Sequence, residues 1–160
     1  MSNYFIRSVY EDDYKSIAAI YNSNRQFLLH HLGVERVDET FAAEEFISMC
    51  KVGFHSCVIV DRENSMIQGI LDYKPGQEVY LSLIMIAADL QGKGVGCKIY
   101  SDFELQMRQA GSTSIRIDVV NDYPDNVVPF WENLGFIEGE TVTLDWGNKK
   151  SKAVVMRKII

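Results

Sequence analysis

The chain has few of the residues that mark secreted, membrane-bound or metal-binding proteins. Its 160 residues include three cysteines, Cys50, Cys57 and Cys97, which are widely spaced and form no C-x-x-C pair. Reduced thiols are therefore expected rather than a disulfide framework. The three histidines share no ligand spacing with these cysteines, so we expect no metal.

Long hydrophobic runs and a surplus of cations are also missing. The longest apolar run, from Leu83 to Ala88, is far shorter than the roughly 20 residues of a membrane span. The N-terminal residues 1–7 lack the apolar stretch of a signal peptide. The chain has 22 Asp and Glu against 16 Lys and Arg, so few cations are available to neutralise phosphates. We expect a cytoplasmic protein without a nucleic-acid or membrane partner, although a local patch for one small phosphorylated ligand stays compatible with this balance.

Hydrophobic periodicity predicts one domain over residues 1–160 in which strands and helices are mixed. Helices are predicted at 11–33, 40–50, 94–110 and shortly after Asn126; strands are predicted at 3–9, 54–60, 66–73, 78–86, 115–119, 137–144 and 151–160. The last two strands are expected to form a hairpin across residues 145–148. Strands 54–86 indicate an antiparallel meander, and the strand–helix–strand unit that follows predicts one parallel pair. The fold class is therefore α+β, with a mixed, mostly antiparallel central sheet flanked by helices.

The most informative segment joins the apolar strand 78–86 to the next helix and reads Gln91-Gly92-Lys93-Gly94-Val95-Gly96. Its glycines allow a tight turn and leave N–H groups unblocked by Cβ atoms. Together with the positive end of a helix, such groups can bind an anion such as a pyrophosphate. A tight strand-to-helix connection without a ligand is the alternative. Neither a Walker A loop, which needs Ser or Thr after Gly-Lys, nor a G-x-G-x-x-G dinucleotide loop fits these residues.

Gln91, Gly94 and Gly96 do fit Q/R-x-x-G-x-G/A, which resembles the acyl-CoA signature of the GNAT superfamily of N-acetyltransferases. A second segment, Val127–Phe136, is similar to that family's aromatic residue followed by E-x-L-G-F. The resemblance implies the acyl-CoA N-acyltransferase (GNAT) fold. It also implies acetyl transfer from acetyl-CoA to a primary amine of a small molecule or peptide, by direct attack in a ternary complex. The alternative is a catalytically weak CoA-binding sensor or regulatory module of the same fold.

The resemblance further implies where the cofactor lies. In the family the central strand and its parallel neighbour splay apart, and unpaired backbone groups of the central strand pair with the pantetheine arm as an added strand would. The implied cofactor-binding residues are Ile84, Met85, Ile86, Gln91, Gly92, Lys93, Gly94, Val95, Gly96, Asn126 and Trp131.

Two departures from the family pattern leave the catalytic residues open. In the family, a tyrosine that protonates the leaving thiolate commonly lies four residues before the glycine that matches Gly135. This chain has Trp131 there, and an indole N–H is a poor acid. Either Tyr123 replaces it or the thiolate leaves without a protein acid. The position where the family often has a cofactor-contacting Asn holds Pro124. Either Asn121 or Asn126 is expected to replace that Asn, and Asn126 can instead cap the following helix.

The residue that removes a proton from the amine is also open. The predicted catalytic residues are Glu78, Tyr80 and Tyr123, and Asp118 and Asp122 are further candidates for the base. Any of these carboxylates can instead be a solvated surface group.

The resemblance places the acceptor pocket at the first helices and the loop between them. The residues implied to bind the acceptor are Asn24, Phe27 and His31, with Tyr73 opposite. His30 and His31 can alternatively be capping cations at a helix end. A homodimer through the C-terminal hairpin is compatible with the sequence, although no counted feature predicts it.

Overall fold

A computed structural model describes residues 2–146 and 149–160, with the backbone only at residue 146. The helices are α1 (Tyr14–Ser23), α2 (Arg25–Phe27), α3 (Glu39–Lys51), α4 (Val95–Gln109) and α5 (Val128–Asn133). The strands are β1 (Tyr4–Ser8), β2 (His55–Asp61), β3 (Ile67–Lys74), β4 (Glu78–Ile86), β5 (Ser114–Val120), β6 (Ile137–Trp146) and β7 (Lys149–Ile159). Short 3-10 turns at Glu11–Asp13 and Ala88–Leu90 and a π-turn at Leu28–Leu32 complete the described elements.

The strands form one mixed sheet in the order β1-β2-β3-β4-β5-β7-β6. Every neighbouring pair is antiparallel except β4 and β5, which are parallel. The predicted meander, the parallel pair and the α+β class are therefore confirmed. Helices cover both faces, because α4 and α5 pack on one core cluster while α1 and α3 pack on the other.

The predicted helix over 11–33 differs from the structure, because it breaks at Asn24. Asn24 has φ −103° and ψ 71°, outside the helical region. Its side-chain amide donates to the carbonyl of Ile20 at 2.9 Å, which caps a carbonyl that the broken helix leaves unpaired. Beyond Asn24 the backbone becomes helical again in α2 and the π-turn. This helical segment ends at Gly33, which has φ 66°.

The final hairpin also differs in detail from the prediction. Asp145 and Trp146, expected in the turn, belong to β6, and the rest of the predicted turn, residues 147 and 148, lies outside the described residues.

The central strand β4 changes the direction of its side chains once. Val79 and Leu81 lie in the α4-side core, and so do Ile84 and Ile86, so the two-residue alternation slips by one between them. The β3–β4 register slips at the same place, because Asp72 lies opposite Leu83 and Tyr73 lies opposite Leu81. Ser82 is thus the extra residue of a β-bulge, a device that bends a strand and re-aims its side chains.

Candidate functional site

The sheet divides into two halves that hold together only over a short stretch. β4 pairs with β5 at three positions, from Glu78 opposite Ser114 to Tyr80 opposite Arg116. Beyond Tyr80, β4 continues along β3 as far as Ile86, whereas β5 follows β7 along its whole length. The two parallel strands therefore leave a gap, and we call this the β4–β5 gap. It begins beside the bulge at Ser82.

The direction of the β4 backbone decides which groups face this gap. Opposite residues of an antiparallel pair alternate between hydrogen-bonded and non-bonded positions. The Ala87 N–H donates to the Gln68 carbonyl of the β3 side at 2.8 Å, so Met85, two residues earlier, also directs its backbone toward β3. Ile84 and Ile86 direct theirs into the gap. The expectation that Met85 offers unpaired backbone groups is corrected by this alternation.

The glycine-rich loop lies where β4 ends and α4 begins. Gly92 and Gly94 have φ 72° and 78°, a conformation that disfavours a Cβ atom. Apart from the glycine and its two chain neighbours, no atom of the described chain lies within 4 Å of a Cβ built at either position. Among the described residues no side chain caps the start of α4 at Gly94. The first N–H groups of this helix therefore have neither an intrahelical partner nor a described side-chain cap, and Lys93 is exposed beside them.

Gly96, two residues further along the chain, faces the protein instead. A Cβ at this position would lie 3.6 Å from the ring of Phe130 and 3.8 Å from Ile86. The loop thus packs against α5 and the end of β4, at the margin of the β4–β5 gap. Sequence reasoning did not single out Phe130; its place beside Trp131 was the available indication.

Trp131 and Asn126 are both occupied by contacts within the protein. Trp131 is 7% exposed, and its ring makes edge contacts with Tyr100, Phe130 and Phe136 at centroid distances of 5.1–5.6 Å. Asn126 Oδ1 accepts a hydrogen bond from the Val128 N–H at 3.1 Å, but the N-cap of α5 is Val127, so Asn126 forms a local turn before the helix rather than the predicted cap. Cofactor contacts by these two side chains stay predictions.

Tyr80 and Asp118 join β4 to β5 on the face opposite α4. The Tyr80 hydroxyl donates to Asp118 Oδ2 at 3.0 Å. Arg116 holds the same carboxylate through Nε at 3.0 Å and Nη2 at 3.1 Å, and its guanidinium lies over the Tyr80 ring. Burial, the negative charge and the hydrogen bond all raise the pKa of Tyr80. Tyr80 is therefore a protonated donor that closes one end of the gap, and its hydroxyl is unsuited to accept a proton.

Glu78 lies two residues before Tyr80 on the same side of β4. Its carboxylate accepts a hydrogen bond from Arg157 Nε at 3.2 Å, and its side chain is 43% exposed. Arg157 also binds Glu140 at 3.3 Å. Of the predicted catalytic residues, Glu78 thus carries an ionisable oxygen that solvent reaches.

Aromatic rings close the other end of the gap. His30 and Tyr123 stack at a centroid distance of 4.1 Å, and Phe27 and His31 stack at 4.2 Å. The His31 and Tyr123 rings meet edge to face at 6.1 Å. Burial lowers the pKa of His31 to about 4, and the charge of Lys149 adds to this effect, so His31 is neutral at pH 7. Burial also raises the pKa of Tyr123.

The segment that carries Phe27 and His31 is anchored on both halves of the sheet. Lys149 Nζ and Ser151 Oγ of β7 donate to the His30 carbonyl at 2.8 and 3.2 Å. Asn24, at the other end of the segment, donates to the Ile86 carbonyl of β4 at 3.0 Å. The segment therefore crosses the gap, which runs between this aromatic group and the Tyr80–Asp118 contact.

Tyr73 lies elsewhere. Its ring packs edge to face on Phe103 of α4 at 5.1 Å, and its hydroxyl lies 3.2 Å from His55 Nδ1. It therefore faces the side of the sheet opposite Phe27 and His31. The predicted grouping of these residues around one acceptor is not what the structure shows, because Tyr73 shares with Leu71 the face of β3 that packs toward α4, whereas Phe27 packs on the other core cluster.

Two kinds of feature are absent from the described residues. No described helix is both long and apolar enough to cross a membrane. Within the same part of the chain there is no group of three or more His, Cys, Asp and Glu side chains placed to hold a metal ion.

Comparison with solved structures finds the same arrangement in other proteins. An acetyltransferase from Thermus thermophilus superposes with a TM-score of 0.78 at 18% identity, over 99% of this chain and 98% of that chain. A ribosomal-protein-alanine N-acetyltransferase from Brucella melitensis gives 0.68 at 18% identity, over 98% and 99%. The protein yncA from Salmonella typhimurium, in a structure with its cofactor acetyl-CoA, gives 0.65 at 18% identity, over 99% and 94%. At these identities the likeness shows the shared fold.

Sequence comparisons address the family directly. No curated protein sequence matches the chain significantly. The model of the acetyltransferase (GNAT) domain, in contrast, matches residues 29–159. That range contains the β4–β5 gap, the glycine-rich loop and the aromatic segment of α5. The chain therefore belongs to the GNAT family of acetyltransferases.

Proposed function

We propose that this protein is an N-acetyltransferase that moves the acetyl group of acetyl-CoA to a primary amine by direct attack in a ternary complex. The observation that supports this most is the β4–β5 gap, which begins beyond Tyr80, together with the exposed glycine-rich loop that follows the end of β4. Free strand groups along β4, with free helix N–H groups after that strand ends, suit a carrier with amides and a pyrophosphate. The acetyl-CoA in the Salmonella typhimurium structure, which shares this fold, supports the same choice.

The residues present fit this cosubstrate. The N–H groups from Gly92 to Gly96 would bind the pyrophosphate, with Lys93 adding positive charge. The backbone of Ile84 and the N–H of Ile86 would pair with pantetheine amides, whereas the Ile86 carbonyl is already bound by Asn24. Bound acetyl-CoA would supply a thioester carbonyl to the amine and a thiolate as the leaving group.

The protein's remaining task is to manage the proton of the amine, because only a neutral amine attacks. Tyr80 and Asp118 are bound to each other and to Arg116. We propose that Glu78 accepts the proton through water, since it lies on the same face of β4 and is open to solvent. The buried Trp131 leaves no tyrosine at the family's acid position, so the thiolate is proposed to leave without a protein acid.

The experiment measures acetyl-CoA binding by titration calorimetry and CoA release with a thiol reagent. The release assay uses a panel of small amines, amino acids and peptides. Gly94→Ala is compared with Gly111→Ala, because both glycines have positive φ, 78° and 93°, and neither has an atom within 4 Å of an added Cβ. The two positions flank opposite ends of α4. Each substitution therefore imposes similar backbone strain, while only position 94 faces the proposed pyrophosphate.

We expect Gly94→Ala to weaken acetyl-CoA binding at least tenfold, about 1.4 kcal/mol, and Gly111→Ala to change it less than twofold. Gly94→Asp should abolish binding, since it adds negative charge beside the pyrophosphate. Equal affinities of the two alanine variants, or no heat of binding with the unaltered protein, would contradict the proposal.

The alternative function is a CoA-binding sensor with little or no turnover. The observation in its favour is that Trp131 occupies the acid position and packs among aromatic rings. Tight acetyl-CoA binding without CoA release for any amine in the panel would select this alternative.

A further inference from the structure

The end of α1 holds the link between β4 and the glycine-rich loop. Ser23 Oγ accepts a hydrogen bond from the Ala88 N–H at 3.1 Å. The next residue, Asn24, donates from Nδ2 to the Ile86 carbonyl at 3.0 Å. These contacts span more than 60 residues in sequence and fix the chain just after β4 ends.

Both the nitrogen and the oxygen of the Asn24 side-chain amide make hydrogen bonds. Its Nδ2 also donates to the Ile20 carbonyl at 2.9 Å, at the end of α1. Its Oδ1 accepts from Gln91 Nε2, and Gln91 is the residue that opens the glycine-rich loop. One side chain therefore connects three segments: the end of α1, the end of β4 and the start of the loop.

The neighbours of Asn24 place this connection beside the proposed acetyl-CoA site. Asn24 begins the segment that carries Phe27 and His31, which line one end of the β4–β5 gap. Gln91 precedes Gly92 and Gly94, whose positive φ angles shape the loop that is proposed to bind the pyrophosphate. Loops bound by few contacts have many conformations, and ordering them on binding costs free energy. A side chain that holds the loop beforehand lowers this cost.

We propose that Asn24 is a positioning residue for acetyl-CoA: by binding Gln91 and the Ile86 carbonyl, it holds the glycine-rich loop in its binding conformation. This differs from the role expected from the family resemblance, a direct contact with the acceptor. The inference rests on the proposed function, because it takes acetyl-CoA as the ligand of the loop.

The test measures the dissociation constant of acetyl-CoA in the absence of any amine, for Asn24→Ala, Gln91→Ala and the double variant. The matched control is Asn22→Ala. Asn22 also lies on α1 and also makes two hydrogen bonds, to the Val37 carbonyl and from the Val37 N–H, both at 2.9 Å. Asn22 has no described contact with the glycine-rich loop. Its variant therefore shows how much the loss of a bridging amide near the end of α1 changes binding and stability by itself. Thermal unfolding of every variant is recorded beside binding.

We expect Asn24→Ala to raise the dissociation constant about tenfold, and Asn22→Ala to change it less than twofold at a similar loss of stability. Gln91 is exposed, and Gln91→Ala should also weaken acetyl-CoA binding. In the double variant, Gln91→Ala should weaken binding less than twofold beyond the effect of Asn24→Ala. In turnover, Asn24→Ala should raise the KM for acetyl-CoA while kcat at saturation stays within about threefold.

Three outcomes would overturn the inference. They are unchanged acetyl-CoA affinity in Asn24→Ala, an equal loss in Asn22→Ala, and independent losses that multiply in the double variant. Failure of the proposed function is a separate result, because then the unaltered protein itself binds no acetyl-CoA. If Asn24 served only the acceptor, its variant would bind acetyl-CoA normally and show a higher KM for the amine alone.

Discussion

Replacing Asp72 with Asn is expected to stabilise the protein at neutral pH. Asp72 lies on β3 under α1 and α3, beside a cavity of about 20 Å³ that Tyr21, Glu45 and Ser56 also line. Among the described residues around this cavity there is no Lys, Arg or His. Asp72 is half-buried, and its carboxylate lies at this cavity without a described cation, which is a costly arrangement.

The magnitude follows from the pKa. Burial raises the pKa of Asp72 from 3.8 to about 6; the Ser56 hydroxyl opposes this rise and the Glu45 carboxylate adds to it. The difference between these two pKa values corresponds to at most about 3 kcal/mol. Because the pKa is higher in the folded protein, ionisation favours the unfolded chain. The penalty is complete above pH 6 and disappears as the pH falls toward 3.8. Asp72→Asn removes it, so the gain should be about 1–3 kcal/mol at pH 7.5 and close to zero at pH 4.

The assay is urea unfolding at pH 7.5 and pH 4.0. The control is Asp118→Asn, the same substitution two strands away on the same face. Asp118 has a side chain 5% exposed and is bound by Arg116 and Tyr80. Its replacement should destabilise the protein by roughly 1–3 kcal/mol, the opposite sign. If Asp72→Asn stabilised the protein equally at both pH values, or destabilised it at pH 7.5, the argument from a buried, uncompensated charge would be refuted.

Three further predictions concern the site. Trp131→Phe should lower stability by about 1–2 kcal/mol through lost packing and change kcat less than tenfold; a larger loss in steady-state turnover would give Trp131 a role in the reaction. His31→Asn should make the protein less sensitive to acid. Since burial lowers the His31 pKa from 6.5 to about 4, the free energy of unfolding of the unaltered protein falls by up to about 3 kcal/mol as the pH falls between these values. Unfolding curves that shift equally with pH in both proteins would disprove this. Tyr80→Phe should leave the shape of the pH–rate profile unchanged, because the Tyr80 pKa is raised out of the working range; loss of a limb of the profile would show that this hydroxyl titrates during turnover.

Local patterns predicted most of the secondary structure. The short apolar run within residues 78–86 and the three- and four-residue spacing of apolar residues after Gly94 indicated β4 and α4, because each pattern depends only on near neighbours in the chain. The break at Asn24 was not predicted; there the Asn24 side chain binds the Ile86 carbonyl, and a contact with a residue more than 60 positions away leaves no pattern among near neighbours. The extra residue at Ser82 was missed for a related reason: a bulge is defined by the partner strand, and the apolar residues on both sides of it read as one continuous run.

The candidate site shows the same division. Gly92 and Gly94 could be identified from the sequence, because positive φ and free N–H groups are needs that glycine meets at the level of a single residue. The places of Tyr73 and Tyr80 could not, since alternation shows which side chains share a face of a strand but not which helices pack on that face. The pairing of Tyr80 with Asp118 likewise depends on where β4 and β5 separate.

By itself, the amino-acid order of this protein determined the sequence of strands and helices, the glycine turn before α4 and the resemblance to one family. Only the tertiary structure decided which backbone groups of β4 face the gap and which side chains close its two ends. It also decided that Asn24 binds the start of the glycine-rich loop. The physical reason is that periodicity and backbone conformation are set by residues close in sequence, whereas the gap is set by strand partners and hydrogen bonds between segments far apart in the chain.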